Sequence, residues 1–494
     1  MIEQSVIDKL TNVEKPKLFF CGIGGIGMSG LALLAKNCGY IVVGSNIEEN
    51  TNTEKLKKNN VKVYIGHNAN NLSYQGSLVD FFIYSSAIQI DKNCEALEAK
   101  KKNIPILHRG EMLAILMRHY YSVVIAGSHG KTTTTGLVWH MLNELDERPN
   151  VLIGGVLNCC NSNCVVNQGK YFVVESDESD GSFSLLDTNI GVITNIDPEH
   201  MEFYKTKENL EHYFLNFAKN SLNKNGVVIC IDDEIGKEIF KKLNNDATEN
   251  EKEKILTYSL QDRDADFFAT NIRYDTNGLL FDVYDKRNEK VLYDVFLSNL
   301  YGECNIFNVL AAMCVAKLLG IFSKLETKNV FKNFQGIQKR FTVLGKIYKN
   351  TLVVDDYAHN PQKIASAIHS AKHYALTHGL EEKITVVFEP HRYTRVRDGM
   401  ELFVDALKNV ANVIILPIYS ASEQKINEID DDFVFNKVKK CNYNTYMCNT
   451  DVEEIYHLCK KIIDERHTNL IVFMGAGKSS KLAHLLIEKY GLVS

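Results

Sequence analysis

Between the apolar run Tyr120-Tyr121-Ser122-Val123-Val124-Ile125-Ala126 and a helix-forming stretch, the chain carries Gly127-Ser128-His129-Gly130-Lys131-Thr132-Thr133-Thr134-Thr135. A strand, a glycine turn and a helix in that order gather backbone N–H groups and the positive end of a helix dipole around one point, which makes a phosphate site. Lys131 is spaced to reach β and γ phosphates, and the Thr132 hydroxyl to ligate Mg²⁺. Gly127, Ser128, His129, Gly130 and Thr133 complete the candidate ATP loop. It is a shortened P-loop: two residues separate its glycines where the general pattern has four, so a narrower class is implied. The helix is predicted from Thr132 to about Leu145, closed by Pro149.

Such a loop needs acidic and metal-binding partners at neighbouring strand ends. Predicted strands Tyr171 to Val174 and Ile190 to Ile196 run into Glu175-Ser176-Asp177-Glu178-Ser179-Asp180 and Asn195-Ile196-Asp197-Pro198-Glu199-His200. Polar residues at the carboxyl ends of strands are where open α/β sheets bind ligands. Oxygen donors suit Mg²⁺, with Glu175 the leading carboxylate. His200 is either a further ligand or a plain surface histidine.

A second glycine turn comes earlier. The apolar run Lys17 to Cys21 leads through Gly22-Ile23-Gly24-Gly25-Ile26-Gly27 into the helix-forming Met28 to Ala35, then a strand from Tyr40 to Gly44. Strands are also expected at Phe81 to Tyr84 and Ile104 to Leu107. Gly22, Gly24 and Gly27 fit the dinucleotide pattern, but a nicotinamide site expects an acid at the end of the second strand, and here Ser45-Asn46 stands there. A diphosphate ligand without a nicotinamide, such as a sugar nucleotide, fits better.

Beyond about Gly336, strands at Thr351 to Val354, Ile384 to Phe388, Val413 to Leu416 and Leu470 to Met474 alternate with helical patterns such as Gln362 to Tyr374. Two strand ends are rich in functional groups: Asp355-Asp356-Tyr357-Ala358-His359-Asn360-Pro361, and Phe388 to Asp398, which holds Arg392, Arg395 and Arg397. Guanidinium forks match carboxylates and phosphates; a solvated basic turn is the alternative. Gly475-Ala476-Gly477-Lys478-Ser479 imitates a second P-loop but lacks the upstream glycine, and reads as a strand-end turn. Asn244 to Lys254 reads as a solvated loop.

A length of 494 residues suits three α/β domains, placed at 1–118, 119–335 and 336–494. A net charge of -5 leaves no basic excess for a nucleic-acid backbone. No apolar run is long enough to insert in a membrane, and the first residues carry charges where a secretory leader would be apolar. The twelve cysteines are scattered and read as reduced cytoplasmic thiols, neither a zinc site nor a disulfide framework.

Together these motifs resemble the three-domain, ATP-dependent Mur ligases along nearly the whole chain. GIGGIGMSG at Gly22 to Gly30 and FEPHRYTRVR at Phe388 to Arg397 are most similar to the branch that joins L-alanine to UDP-N-acetylmuramate; ESDESDGSF and DDYAHNP agree. The resemblance implies a Rossmann-like UDP-binding domain, a central P-loop ATPase-type domain with a mainly parallel sheet, and a C-terminal Rossmann-like domain that closes over both. It implies bacterial peptidoglycan synthesis in the cytoplasm by a monomer or weak dimer, using ATP and two Mg²⁺ ions, with Mn²⁺ able to substitute. Gly22, Gly24, Gly25, Ile26, Gly27, Ser85, Ser86, Tyr357 and His391 would bind the UDP substrate. Thr132, Glu175 and His200 would ligate metal; Asn305 and Asn308 would lie at the adenine, and Arg340 and Asp355 near the ribose and phosphates. Lys131, Glu175, His200, His359, Arg392 and Arg395 would carry the chemistry, in which ATP turns the lactyl carboxylate into an acyl phosphate that the alanine amine attacks. His200 and His359 are candidate bases for that amine.

Departures from the family pattern fall at Cys304 (for histidine), Lys339 (arginine), Asn46 (aspartate), Ser422 (glycine) and Lys478 (aspartate), none of them a phosphate or metal ligand. Phe217 takes the place of the modified lysine of other branches, and Lys219 does not replace it. The competing readings are the peptide-recycling ligase of the same family, a P-loop NTPase that forms no bond, and a dehydrogenase.

Overall fold

The computed structural model describes residues 10, 13–276, 278–298, 300–326, 329–348, 351–380, 383–421, 423–463 and 469–492, so Ser422 lies outside it. Two compact units are present. One is built from the chain up to Thr270 with Asp282–Tyr293 and Phe307–Phe334; the other comprises Asn271–Phe281, Asp294–Ile306 and the chain from Gln335.

The first sheet contains β1 (Lys17–Cys21), β2 (Ile41–Asn46), β3 (Lys62–Ile65), β4 (Phe81–Tyr84) and β5 (Ile106–His108) in the order β3-β2-β1-β4-β5, all parallel. Its crossover helices include α1 (Ile26–Asn37) and α2 (Cys94–Lys101), and α3 (Arg109–Met117) leads from β5 to the central sheet. The order reverses at β1, so the Gly22 turn lies at the switch point where such sheets bind nucleotides.

The central sheet contains β6 (Tyr121–Ala126), β7 (Asn150–Leu157), β8 (Ser162–Val165), β9 (Tyr171–Glu175), β10 (Ile190–Ile193), β11 (Gly226–Cys230) and β12 (Ile255–Ser259), followed by β13 (Phe267–Asp275), β14 (Gly278–Asp285) and β15 (Lys290–Ser298). The order is β8-β7-β9-β6-β10-β11-β12-β13-β14-β15. From β7 to β12 every pairing is parallel, and β8 runs antiparallel to β7. Helix α4 (Lys131–Glu144) follows β6. First and central sheets share one hydrophobic core. Its closeness is set at Gly30 of α1, where an added Cβ would collide with Leu152 of β7.

The third sheet has the order β16-β17-β21-β18-β19-β20, from β16 (Thr342–Ile347), β17 (Thr351–Asp356), β18 (Ile384–Phe388), β19 (Asn412–Ile415), β20 (Thr445–Met447) and β21 (Asn469–Met474). Only β16 is antiparallel to its neighbour. Valine and isoleucine runs buried on both faces, under separate cores, explain the continuous apolar strands seen in the sequence.

One expectation fails. Asn244 to Lys254 is not simply a loop: a helix spans Glu234–Asp246 and another turn Glu249–Lys252. Ile235, Ile239 and Leu243 recur every four residues and are buried, carrying the helix past Asn244, while Thr248 and Glu251 form a reciprocal capping box.

Candidate functional site

The nucleotide loop leaves the end of β6, with β9 on one side and β10 on the other. Register brings Glu175 beside Ile125 and Ile193 beside Ala126, so both polar segments flank the loop. Gly127 has φ +132° and Gly130 φ +80°. A Cβ at Gly127 would overlap Thr194 Oγ1, and at Gly130 it would lie 2.7 Å from Asn308 Oδ1, so only glycine serves at either position. The segment after β10 braces the loop. Ser128 N donates to Asn195 O (2.9 Å), His129 N to Asn195 Oδ1 (2.8 Å), and Thr194 Oγ1 to His129 O (2.6 Å). The His129 ring meets Asp197 at 2.7 Å. Strand β10 ends at Ile193 rather than Ile196, because the backbone from Thr194 turns to hold the loop.

Lys131 Nζ pairs with Glu178 Oε2 at 2.7 Å and donates to the carbonyls of Gly127 and Ser128. Burial alone would lower its pKa; the Glu178 carboxylate overrides this and holds it above the ordinary value. Burial in turn pushes the Glu178 pKa up. Thr132 Oγ1 donates to Glu175 Oε1 (2.9 Å), whose other oxygen accepts from Gly154 N at 2.6 Å. Thr133 follows on α4, buried. A hydroxyl and a carboxylate fixed side by side at a helix start form the hard-oxygen donor set that Mg²⁺ takes. Glu178, Glu199 and His200 form a second group, with one donor atom from each all within 4.8 Å of one another. His200 stands in the left-handed region at φ +56°, an uncommon conformation that aims its ring at Glu178. Glu178 and Glu199 were not singled out in the sequence, although both lie in the polar strand-end runs.

In the same unit the Gly22 turn is closed by Gly25 N donating to Gly22 O at 3.1 Å. Helix α1 then begins after Gly25 with no side-chain cap on its first N–H groups. Ile26 O accepts from Asn163 Nδ2 (2.7 Å), fixing this helix start against β8. Asn46 accepts from Gly24 N (3.1 Å) and donates to Glu48 O (2.7 Å), a double role an aspartate could not fill. Ser85 and Ser86 follow β4, and Ser86 Oγ donates to Asp180 (2.7 Å). Arg109, which carried no signal in the sequence, lies 2.9 Å from where a Gly27 Cβ would be and pairs with Asp177 at 2.7 Å. Although burial opposes ionisation of Asp177, Arg109 holds its pKa down at about 2.

Helix α6 (Cys304–Leu318) carries both predicted asparagines. Asn308 accepts from Thr134 Oγ1 (3.0 Å) beside Gly130, whereas the Asn305 amide turns back to Tyr301 O (2.9 Å). Cys304 directs its thiol toward Gly302 O.

The remaining candidates form a cluster within the second unit, at the ends of β17 and β18. Helices α7 (Pro361–Thr377) and α8 (Tyr393–Leu407) start there. Arg395 Nη1 is 2.7 Å from His391 Nδ1, and the His391 ring lies 5.4 Å from His359 and 5.6 Å from Tyr419. His359 Nδ1 donates to Tyr357 O (2.8 Å), leaving Nε2 as an acceptor. Burial and the cations Lys363 and Arg395 depress the His359 pKa to about 2; burial and the two arginines hold His391 at about 4. Arg392 opens α8 at φ +67°, and Arg340 lies over the Tyr357 ring at 5.8 Å.

The expected placement of Asp355 requires correction. Successive residues of a strand point to opposite faces. Asp355 is buried toward α9 (Ser479–Tyr490), accepting from Ser480 Oγ at 2.7 Å. Asp356 is the acid beside Arg340; it accepts from Phe341 N and Ala358 N, both at 2.8 Å, and burial raises its pKa to about 6. Lys478 heads α9 with its backbone N–H bound to Glu389, so its turn is a strand-end turn as expected. Phe217 is core beside Phe183, and Lys219 pairs with Asp246 at the surface.

A P-loop with carboxylates at both flanking strands, in one chain with two further largely parallel α/β sheets, has the make-up of a nucleotide-dependent enzyme. The chain matches the Mur ligase family catalytic domain over residues 17–121, the Mur ligase middle domain over 125–316 and the Mur ligase glutamate ligase domain over 339–477. It belongs to the Mur ligase family, whose members are ATP-dependent. It is 36% identical over 483 residues to the UDP-N-acetylmuramate--L-alanine ligase of Rickettsia felis, covering 97% of each chain. The enzyme of the same name from Dictyoglomus turgidum is also 36% identical, over 96% of this chain and 97% of its own. Among solved structures, the UDP-N-acetylmuramate-alanine ligase of Thermotoga maritima superposes with a TM-score of 0.78 at 26% identity, over 96% of this chain and 99% of that one. The murein peptide ligase of Psychrobacter arcticus shares the fold, with a TM-score of 0.67 at 18% identity over 97% of this chain and 99% of that one.

Proposed function

We propose that this protein is an ATP-dependent ligase that joins L-alanine to the lactyl carboxylate of UDP-N-acetylmuramate, forming UDP-N-acetylmuramoyl-L-alanine, ADP and phosphate in peptidoglycan synthesis. The full-length relationship at 36% identity to ligases of that name carries the reading. No helix among the described residues is long and apolar enough to cross a membrane. We assign the three domains to residues 1–118, 119–335 and 336–494, and expect a cytoplasmic monomer or weak dimer.

Carboxylates do not acylate amines, because oxide is a poor leaving group. The carboxylate attacks the γ-phosphorus, ADP leaves, and the acyl phosphate is opened by the amine with loss of phosphate. Positioning and charge stabilisation supply most of the catalysis. Lys131 exchanges Glu178 for the β and γ phosphate oxygens, which the backbone N–H groups of Gly130 and Lys131 at the start of α4 also receive. Thr132 with Glu175, and His200 with Glu178 and Glu199, would hold Mg²⁺. When bound, Mg²⁺ neutralises charge on the phosphate oxygens. Asn305, Asn308 and Arg340 take the nucleoside side of ATP, with Asp356 in the role first expected of Asp355. The free N–H groups at Ile26 and Gly27, with Ser85 and Ser86, take the diphosphate of the UDP substrate.

Tyr357, His359, His391, Arg392 and Arg395 receive the carboxylate substrate and alanine. With a pKa of about 2, His359 is too weak a base for an ammonium group. Its neutral Nε2 orients the amine as an acceptor. The decisive assay is phosphate release from ATP with Mg²⁺ and UDP-N-acetylmuramate, with and without L-alanine and with an alanine-headed tripeptide. Release that needs both substrates, with a product one alanyl residue heavier, is the expected result. Release without UDP-N-acetylmuramate, or only with the tripeptide, refutes it.

A further inference from the structure

Beneath the Gly22 turn lies a cluster that the ligase chemistry does not use. Cys21 ends β1 immediately before Gly22, His67 follows β3, and Glu95 sits in the first turn of α2. Their Sγ, Nδ1 and Oε2 atoms converge: Sγ to Nδ1 is 3.9 Å, Nδ1 to Oε2 3.0 Å and Sγ to Oε2 3.4 Å. A tetrahedral Zn²⁺ spaces one sulfur and two nitrogen or oxygen ligands about 3.3–3.5 Å apart. The observed triangle is close to one face of that tetrahedron. Cys21 and Glu95 are fully buried, and the partly exposed His67 provides the way in.

The surroundings orient these atoms as outer-shell partners orient metal ligands. Glu95 Oε1 is held by Asn68 N (3.1 Å) and Asn71 Nδ2 (2.7 Å), which turns Oε2 toward the thiol and the imidazole. Ser45 Oγ, at the end of β2, lies 2.6 Å from Oε2 and 2.9 Å from Nδ1 on the remaining side. Charge also balances: a thiolate, a carboxylate and a neutral imidazole around a divalent ion sum to zero, which removes the cost of a net charge in this buried position. A sulfur and nitrogen pair selects a transition ion over Mg²⁺, separating this cluster from the oxygen-rich donors at Thr132 and Glu175. The sequence concealed it because its members come from three distant segments with no ligand spacing.

We propose that Cys21, His67 and Glu95 form a binding site for a divalent transition ion of the Zn²⁺ class, with water or the Ser45 hydroxyl as fourth ligand. On binding, the Cys21 thiol releases its proton to solvent and the sulfur lone pair bonds to the ion; no electron is transferred. The ion ties the ends of β1 and β3 to α2, directly under the turn assigned to the UDP substrate. To test this, the metal-free full-length protein is titrated with Co²⁺, following the thiolate-to-cobalt charge-transfer band, which the thiol-free catalytic site cannot produce. One equivalent should saturate the band, and Zn²⁺ should displace it. Cys21→Ser should abolish it, Cys160→Ser and Cys164→Ser should leave it, and Asn71→Ala should weaken binding by about 10- to 100-fold. His67→Gln, at a partly exposed position, should weaken binding at least as much, and keeps the test usable if Cys21→Ser does not fold. No band in the unaltered protein, a band surviving in folded Cys21→Ser, or unchanged affinity in His67→Gln would overturn the proposal.

Discussion

Replacing Lys131 tests catalysis and stability at once. The pair with Glu178 is buried, with side-chain exposures of 13% and 6%. Lys131→Met removes the cation and leaves a carboxylate in a site that already disfavours its charge. Breaking one partner of a buried pair costs about 3–5 kcal/mol, which for a domain of ~200 residues lowers Tm by roughly 6–20 °C. Turnover should fall at least about 10³-fold, since the charge developing on the transferred phosphoryl group loses its main side-chain cation. Lys131→Met/Glu178→Gln separates the two effects, because removing both charges should restore most of the Tm while turnover stays lost. In Lys131→Met, Glu178 loses the neighbour that lowers its pKa, so the native state keeps a proton that the unfolded chain sheds above about pH 4.3. Stability of this variant should therefore fall as pH rises above about 4.3. Thermal unfolding across that range and phosphate release with both substrates measure everything required. Near-normal turnover in Lys131→Met, or a double variant no more stable than the single one, would refute the reasoning.

Gly130→Ala puts a Cβ 2.7 Å from Asn308 Oδ1 at φ +80° and should raise the KM for ATP sharply; an unchanged KM in steady-state assays contradicts the loop geometry. His391, held near pKa 4, binds fewer protons folded than unfolded between about pH 4 and 6.5, so it contributes stability that grows with pH across that window. His391→Gln should flatten the pH dependence of the urea midpoint there. Asn46→Asp keeps the acceptor for Gly24 N and loses the donor to Glu48 O, which should raise the KM for UDP-N-acetylmuramate about two- to tenfold. Asp355→Asn disturbs the bond from Ser480 and should cost about 1–2 kcal/mol in chemical denaturation while the KM for ATP stays within about twofold; Asp356→Asn should raise that KM much more.

Where strands are buried on both faces, the sequence was legible almost residue by residue: Lys17–Cys21, Phe81–Tyr84 and Ile384–Phe388 are apolar runs ended by a glycine turn or by polar residues, and they fold with those limits. The glycine turns were equally readable, because Gly127 and Gly130 occupy positions that exclude a side chain. The partners across space were not. Glu178 and Asp177 are adjacent acids in one run, yet the first meets Lys131 and the second Arg109, a division set by strand register and domain packing. Asp355 and Asp356 were indistinguishable by motif, and only the alternation of β17 assigns their faces. The helix through Asn244 was hidden by its polar exposed face, although its buried residues already kept a four-residue period.

The two Gly-x-Gly-Lys and His-Gly-Lys turns of this chain show what makes such a turn a nucleotide site. Both lie between a central parallel strand and a helix, and both offer converging backbone N–H groups. At Gly477 to Ser479 those groups are already used: Glu389, 1% exposed, accepts from Gly477 N (2.9 Å), Lys478 N (2.8 Å) and Ser479 N (3.2 Å). A carboxylate of the protein's own stands where an anion would bind, so this turn, which leads from β21 into α9, is tied to the end of β18. At Gly127 to Thr132 Asn195 takes the N–H groups of Ser128 and His129, but the nearest acids engage side chains, Glu175 the Thr132 hydroxyl and Glu178 the Lys131 ammonium. The same acids thus hold the lysine and the hydroxyl in place without filling the anion position. The glycines alone do not separate the two turns; which donors the neighbouring carboxylates occupy does.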